Sequence, residues 1–135
     1  MKIEESIEIA RPPEKVHAVI ADLERGPEWQ PSLVRVDAER GTEVRRIGGH
    51  EREARFDVTR DEPPRLFEIV SHGGPVRASA TFELEPVESG TRVDFSLVLE
   101  LGGALRLAGR MIRGRAEHEA RENLERLKKL LEAEQ

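Results

Sequence analysis

The stretch that decides the fold is the end of the chain, residues 104–134, ALRLAGRMIRGRAEHEARENLERLKKLLEAE. Its apolar residues recur at steps of three and four, the spacing that places side chains on one face of an α-helix. They are Leu105, Ala108, Ile112, Ala116, Ala120, Leu124, Leu127, Leu130 and Leu131. The pattern predicts one amphipathic helix of about 45 Å, which needs an equally long apolar partner.

Upstream of this helix the chain supplies that partner as a series of segments that read as β-strands. Apolar and polar residues alternate with a period of two over 2–10, 33–39, 42–47, 51–60, 66–72, 76–85 and 92–101. Between the first two segments, Pro12-Pro13-Glu14 favours a helix start, and Val16, Val19, Ile20 and Leu23 supply a short helical face. No repeat or linker interrupts the series, so we predict a single domain over residues 1–135.

Turn residues give a pairing register for the later strands. A two-residue loop at Gly73-Gly74 would pair Ser71 with Val76, Ile69 with Ala78 and Phe67 with Ala80. The same parity places Phe82 opposite Phe95, Ala80 opposite Leu97 and Ala78 opposite Leu99. One face of these strands is therefore predicted to be small or apolar throughout.

The hairpin at Gly48-Gly49 is less regular. A two-residue loop would set Val44 opposite Glu53, whereas a three-residue loop through His50 would pair Val44 with Ala54. We prefer the three-residue loop because it pairs apolar residues. It would also place Arg46 opposite Arg52 on the concave side, where two like charges must reach solvent or share an anion.

Composition restricts the class of protein. Charged residues make up 36% of the sequence, and the net charge is -5 with both signs interspersed, which is typical of a surface in contact with water. A nucleic-acid binder is not expected because there is no concentrated basic face. There are no cysteines, so disulfides, thiolate catalysis and cysteine-ligated metals are excluded.

The sequence also leads to expectations about where the protein is located and how it assembles. No apolar run approaches a membrane span or a secretory leader, so we expect a cytoplasmic protein. We expect a monomer or a weak homodimer whose partner is a small hydrophobic molecule.

Several motifs resemble a known superfamily. Ile7-Glu8-Ile9-Ala10, Pro12-Pro13-Glu14-Lys15-Val16 and Pro27-Glu28-Trp29 are similar to the opening of the START-related (SRPBCC) superfamily, which includes polyketide cyclase/dehydratase-like proteins and the birch-pollen allergen class. Later segments, among them Glu62-Pro63-Pro64-Arg65-Leu66 and Gly90-Thr91-Arg92-Val93, extend the resemblance over nearly the whole chain.

The resemblance implies an α+β helix-grip fold. In that fold a curved seven-stranded antiparallel sheet wraps around the long C-terminal helix, and two short helices lie between strands 1 and 2. A hydrophobic cavity lies between sheet and helix. Members include lipid and hormone carriers, cyclases and co-chaperone regulators, and they share no single catalytic motif. Trp29 matches a position that is commonly aromatic in the superfamily, and we predict that it is a packing anchor.

Metal and nucleophile chemistry find little support in the sequence. The histidines, His17, His50, His72 and His118, show no i, i+4 pair and no ligand spacing, so neither a metal nor a cofactor is predicted. Ser71 is the only serine placed on the concave side, and no histidine shares that face, so a hydrolase is not favoured.

Acid–base chemistry has two candidates. Glu5 lies on the inward phase of the first strand, and Glu119 lies at the edge of the helix stripe, so either could project into the cavity as a weak catalytic candidate. Asn123 is more informative, because an amide within an apolar stripe needs partners that water or a ligand could supply.

A cavity is predicted because small residues face small residues. Ala78 and Ala80 on the sheet oppose Ala108, Gly109, Ala116 and Ala120 on the helix, which leaves volume unfilled if the helix stands off. The predicted ligand contacts combine apolar walls with a few polar groups. They are Arg46, Arg52, Phe56, Phe67, Ser71, Ala78, Phe82, Phe95, Met111, Ile112, Ala116 and Asn123.

Three functions remain open on the sequence. The first is binding of a lipid-like or aromatic molecule in the cavity. The second is a cyclase/dehydratase-like enzyme in which Glu5 or Glu119 moves a proton. The third is an interaction module without a ligand and with a filled interior. It would use either an exposed strand edge or the arginines at the helix start, Arg106, Arg110, Arg113 and Arg115.

Overall fold

A computed structural model describes residues 1–134. Within these residues the chain forms seven strands and two α-helices: β1 (Lys2–Ile9), α1 (Pro13–Ala21), β2 (Leu33–Asp37), β3 (Thr42–Ile47), β4 (His50–Glu62), β5 (Leu66–Gly73), β6 (Val76–Val87), β7 (Gly90–Leu101) and α2 (Gly109–Ala133). Two 3₁₀ helices, Leu23–Glu28 and Gly103–Ala108, follow α1 and precede α2. No helix among the described residues is long and apolar enough to cross a membrane.

The strands form one antiparallel sheet in the order β1-β7-β6-β5-β4-β3-β2. The helix-grip prediction is confirmed, including the two short helices between the first two strands. Gly90 allows β7 to begin beside the end of β1, because a Cβ there would lie 2.2 Å from the carbonyl oxygen of Ile9. Its φ of +146° is also one that residues with a side chain rarely adopt.

The long helix begins later than the sequence predicts. The first turn of the predicted stretch is a 3₁₀ helix, and α2 begins at Gly109. The chain must turn sharply after β7, where the Gly102 N–H donates to the Pro75 carbonyl oxygen at 2.8 Å and Gly103 has a φ of +58°. The tighter 3₁₀ turn brings the chain back over the sheet.

Both hairpin predictions need correction. The β5–β6 loop is Gly74-Pro75, so Ser71 pairs with Ala78 and Phe67 with Phe82. Proline's fixed φ suits the second turn position after a glycine with positive φ. This two-residue shift leaves the same side chains on the concave face. The predicted β6–β7 register, with Phe82 opposite Phe95, is confirmed.

The β3–β4 hairpin differs in a way that changes the face. Its loop is the two residues Gly48 and Gly49, both with positive φ, so Val44 pairs with Glu53 and the three-residue prediction is wrong. Glycine at both positions fits the hairpin turn whose twist matches the flanking strands. Arg46 consequently pairs with Glu51, and it is Arg45 that lies opposite Arg52.

The dry core lies at one end of the sheet. Here the C-terminal half of α2 and the buried face of α1 pack on the strands. Its buried members are Ile9, Val16, Val19, Ile20, Trp29, Phe67, Phe82, Leu84, Val93, Leu124, Leu127 and Leu131. A smaller cluster of Ile3, Leu99 and Ala120 lies nearer the start of α2. The concave side of the central strands that neither cluster covers faces the N-terminal half of α2.

On the convex face, Glu68 gives the fold a pH dependence. Its carboxylate accepts hydrogen bonds from Thr59 Oγ1 at 2.8 Å and Thr81 Oγ1 at 2.9 Å, and these bonds lower the pKa of Glu68. Because the pKa of Glu68 is lower in the folded state than in the unfolded state, its carboxylate stabilises the fold at pH values above the ordinary glutamate pKa. That stabilisation is lost as the pH falls through the folded-state pKa. We expect Glu68→Gln to lose less stability than the unmodified chain as the pH is lowered below the ordinary pKa of a glutamate, about 4.3, with the free energy of unfolding measured by urea denaturation. Glu83→Gln, at an exposed position, should leave that slope unchanged.

Candidate functional site

A cavity of about 610 Å³ lies between the concave face of the sheet and the N-terminal half of α2. The helix approaches the sheet mainly at β1, so it stands off from the central strands. Ala78 and Ala80 line the wall, and Ala116 and Ala120 line the roof. The volume falls within the roughly 300–1,000 Å³ of small-molecule sites.

The structure brings together most of the residues predicted to contact a ligand. Those that line the cavity are Arg52, Phe56, Phe67, Ser71, Ala78, Phe82, Phe95, Met111, Ile112, Ala116 and Asn123, and Glu119 lines it as well. Phe82 packs against Phe95 with ring centroids 4.9 Å apart. Their role as ligand contacts stays a prediction.

Two candidates lie outside the cavity. Arg46 is exposed and pairs with Glu51 at 3.2 Å, because the two-residue hairpin turns it to the outer face. Glu5 forms an ion pair with Arg121 at 2.7 Å. A carboxylate at the edge strand reaches a surface arginine at little desolvation cost, so Glu5 does not enter the cavity.

A half-buried polar network on the cavity wall was missed by the sequence analysis. Arg45 donates from Nε to Glu43 Oε1 at 3.1 Å, from Nη1 to Ser32 Oγ at 3.2 Å and from Nη2 to Gln30 Oε1 at 3.0 Å. Ser32 Oγ in turn donates to Glu119 Oε1 on α2. The network ties β3 and the loop before β2 to the helix, and it orients two carboxylates along one wall.

The signal for this network was the glycine pair itself. A two-residue loop at Gly48-Gly49 places Glu43 and Arg45 on the concave face, where hydrophobic patterning does not expect charged residues. Glu43 is only 6% exposed, and its carboxylate is compatible with that position because Arg45 donates to it.

We expect Arg45→Met to lower the free energy of unfolding by about 2 kcal/mol, because it leaves the Glu43 carboxylate buried without its donor. Urea denaturation measures the change. The double variant Glu43→Leu/Arg45→Met should recover most of the loss, since neither charge remains. Arg46→Met, at the exposed neighbouring position, should change stability by less than about 0.5 kcal/mol. If Arg45→Met and Arg46→Met each lost about 2 kcal/mol, the loss would not be specific to the network, and its proposed importance would be contradicted.

Two residues that line the cavity each carry a buried polar atom without a partner among the described residues. The indole Nε1 of Trp29 and the amide Oδ1 of Asn123 are buried and make no hydrogen bond within residues 1–134. Trp29 is 3% exposed and packs edge-on against Phe82, as a packing anchor would, but it also lines the cavity. Buried polar groups without partners are rare, so this pair is unusual.

The histidines lie apart from one another. His17 bonds through Nε2 to Asp61 Oδ1 at 2.7 Å and ties α1 to β4, and His118 is exposed on α2 beside Glu122. Within the described residues, no three His, Asp or Glu side chains come together as metal ligands would.

The mouth of the cavity carries exposed apolar side chains. Met111 is 69% exposed and Ile47 is 50% exposed, and both line the opening. Arg52 and Arg115 stand beside them, with Glu53 as the acidic neighbour. An apolar guest would therefore meet apolar contacts before it enters.

The sequence was compared with models of known protein families and with known proteins. The family model described as "Polyketide cyclase / dehydrase and lipid transport" matches residues 1–132. A comparison with curated protein sequences finds no match.

Solved structures share the whole fold. A conserved protein from Geobacillus kaustophilus is 20% identical with a TM-score of 0.83, and the match covers 98% of this chain and 96% of that one. A START superfamily protein from Mycobacterium smegmatis is 16% identical with a TM-score of 0.82, over 98% and 97% of the two chains. The di-domain ARO/CYC StfQ from the steffimycin biosynthetic pathway is 14% identical with a TM-score of 0.80, over 98% of this chain and 51% of that one. These likenesses concern the fold alone.

Proposed function

Because this chain belongs to the polyketide cyclase/dehydrase and lipid transport family, we propose that it binds a small apolar molecule in the cavity beneath α2. The observation that carries the proposal is the cavity of about 610 Å³ with predominantly apolar walls. Burial of apolar ligand surface, at about 25 cal/mol per Å², would drive binding.

The side chains around the cavity support an aromatic or lipid-like guest. Phe56, Phe67, Phe82 and Phe95 present rings to the space, and the alanines of the wall and roof leave it open. Phenylalanine faces and alanine methyl groups offer dispersion contacts and few polar partners. Orientation of the guest is left to the small number of polar groups.

We favour binding over catalysis because only one of the two candidate carboxylates lies at the cavity. Glu119 lines the cavity and accepts from Ser32, whereas Glu5 is paired with Arg121 outside it. General acid–base chemistry at a bound substrate usually divides proton removal and proton donation between two groups. The two carboxylates of the wall network, Glu43 and Glu119, are both already held by hydrogen bonds, Glu43 from Arg45 and Glu119 from Ser32.

An interaction module with a filled interior is less favoured for a different reason. A scaffold has no need of unfilled space, and protein interiors are normally close-packed. The arginines proposed to serve such a module are engaged in part within the chain, since Arg113 donates to the Lys2 carbonyl oxygen at 3.0 Å and Arg106 to the Leu101 carbonyl oxygen at 3.1 Å.

Titration with the neutral dye N-phenyl-1-naphthylamine tests the proposal. Its fluorescence increases in apolar surroundings, so we expect saturable enhancement with one site per chain. A Kd of about 10 µM, near -7 kcal/mol, is the affinity that such a small guest would be expected to reach. Native mass spectrometry gives the stoichiometry independently.

A chain that gives no saturable signal at about 100 µM dye would contradict the proposal. Linear, unsaturated enhancement would also count against it, because that behaviour reports non-specific association with exposed patches such as Leu107 and Met111. Competition by a second apolar molecule distinguishes the two cases, since only a defined site is displaced.

A further inference from the structure

We propose that the helical region at the start of α2 docks on the surface of a lipid bilayer that contains anionic lipids. The docking surface, which we name the entry surface, consists of Leu107, Arg110, Met111 and Arg115. The proposal goes beyond the binding of a guest in the cavity and does not depend on it. Two features of the chain support it: exposed apolar side chains and a local excess of positive charge.

The first feature is the exposure of two large apolar side chains. Leu107 is 93% exposed on the 3₁₀ helix, and Met111, four residues later at the beginning of α2, is 69% exposed. The other large apolar side chains that reach solvent among residues 1–134, Ile47, Val58 and Val98, are at most 50% exposed. Contact of apolar surface with water is unfavourable, so a partner that covers the entry surface gains free energy.

The second feature is the charge of residues 101–116, which contain four arginines and no acidic residue. Their formal charge of +4 contrasts with the net charge of -5 for the whole chain. The acid that follows this segment, Glu117, compensates Arg113 at 3.7 Å, and the acid that precedes it, Glu100, pairs with Arg77 at 3.3 Å. The other three arginines have no acidic neighbour in sequence that could cancel their charge.

Two of these three arginines belong to the entry surface. Arg110 and Arg115 are exposed, and neither forms an ion pair or a side-chain hydrogen bond within residues 1–134. A guanidinium group binds phosphate with two parallel hydrogen bonds. The alkyl stem of an arginine also lies well along apolar surface while its charged end stays in the head-group layer. Arginines beside an exposed leucine and methionine are therefore suited to the interface of an anionic bilayer.

The β3–β4 hairpin brings the same combination of residues to the cavity. Ile47 is 50% exposed and Arg52 is exposed, and both line the cavity together with Met111 and Arg115. A bilayer is favoured over a folded acidic protein because it offers an apolar interior beneath anionic head groups and needs no pocket shaped to outward-pointing side chains. A chain docked in this way would hold the opening of its cavity against the lipid.

Co-sedimentation of the full chain with vesicles tests the proposal. We expect binding to phosphatidylcholine vesicles with about 30% phosphatidylglycerol to be at least about tenfold tighter than to phosphatidylcholine alone. Binding should weaken about tenfold between about 50 mM and 500 mM NaCl, because salt screens the attraction. Leu107→Ala should weaken it about tenfold, since less apolar surface enters the bilayer.

Charge reversal has a matched control. Arg110→Glu should weaken binding to the anionic vesicles about 30-fold, because one attraction is replaced by a repulsion. Arg65→Glu makes the same change at an exposed position just before β5 and should change binding less than about twofold. Arg110 is not among the residues that line the cavity, so Arg110→Glu should bind N-phenyl-1-naphthylamine as the unmodified chain does.

A fluorescent label shows which part of the chain meets the lipid. The chain has no cysteine, so Leu107→Cys and Glu125→Cys each accept one thiol-reactive, polarity-sensitive fluorophore. Both positions are exposed, and Glu125 lies in the C-terminal half of α2. We expect anionic vesicles to shift the emission of the label at position 107 to shorter wavelength and to leave the label at position 125 unchanged, because only the entry surface reaches the apolar layer.

Several results would overturn the proposal. They are absence of vesicle binding, equal affinity for neutral and anionic vesicles, equal losses in Arg110→Glu and Arg65→Glu, and labels that shift equally at the two positions. Salt-sensitive binding to polyglutamate without vesicle binding would assign the entry surface to an acidic protein partner instead. Loss of N-phenyl-1-naphthylamine binding alone would contradict the proposed function and leave the docking proposal standing.

Discussion

Ala116→Phe is expected to weaken binding of N-phenyl-1-naphthylamine by about 100-fold. Ala116 lies in the roof of the cavity, so a phenyl ring at this position would occupy space needed by the guest. A guest that loses roughly 110 Å² of buried apolar contact, at about 25 cal/mol per Å², loses about 2.7 kcal/mol, which corresponds to about 100-fold in Kd. Fluorescence titration measures the change.

The matched control is Ala133→Phe, which makes the same substitution at the exposed last residue of α2. It should bind the dye as the unmodified chain does. Urea denaturation of both variants shows whether the fold is retained, and Ala116→Phe should be no less stable than the control, because the added ring fills a void rather than displacing packed atoms. Equal dye affinity in the two folded variants would show that the guest binds elsewhere.

Leu127→Ala should lower the free energy of unfolding by about 3–4 kcal/mol. Leu127 is 0% exposed and belongs to the cluster in which α2 meets α1 and the sheet. Truncation removes the transfer free energy of the side chain and leaves a void in a packed region, for which Leu→Ala changes of about 2–5 kcal/mol are typical. For a domain with a total stability of roughly 5–15 kcal/mol, this is a large fraction.

The control for this prediction is Leu107→Ala. Leu107 is 93% exposed on the 3₁₀ helix before α2, so its truncation should change stability by less than about 0.5 kcal/mol. Urea denaturation with an unchanged m-value establishes that both variants report stability rather than a change in the unfolded state. A loss below about 1 kcal/mol in Leu127→Ala would mean that the end of α2 is not held by the core.

The two helix variants probe different halves of one element. The C-terminal half of α2 carries Leu124, Leu127 and Leu131 into the dry core, while Ala116 and Ala120 in the preceding turns line the cavity. Large side chains fill the space between helix and sheet where they occur, and small ones leave it open. Stability and binding are therefore expected to depend on separate segments of the same stripe.

Patterning alone was sufficient for the elements and for most of the lining. The period of two identified the strands, and the steps of three and four identified the helix. The β5–β6 loop was misplaced, yet the shift was by two residues, and an even shift keeps each side chain on its face. Ser71 and Ala78 were therefore placed correctly on the concave side despite the wrong pairing.

The β3–β4 hairpin shows the opposite case. A one-residue difference in loop length exchanges the two faces of β3 relative to its partner, so Arg46 turned outward and the Glu43–Arg45 pair turned inward. Apolar pairing favoured the longer loop, because that criterion does not anticipate a buried glutamate that is paired with a half-buried arginine on the same strand. The turn chemistry of Gly48-Gly49 was the better guide.

The sequence by itself determined that a long amphipathic helix packs on an antiparallel sheet, and that small residues face each other across the interface. It did so because side-chain periodicity depends only on local backbone geometry. Only the tertiary structure decided how far α2 stands from the central strands, which carboxylate reaches the cavity and which polar atoms there lack partners. Those outcomes depend on contacts between residues distant in the chain, such as Ser32 with Glu119 and Glu5 with Arg121, and local patterning does not determine such contacts.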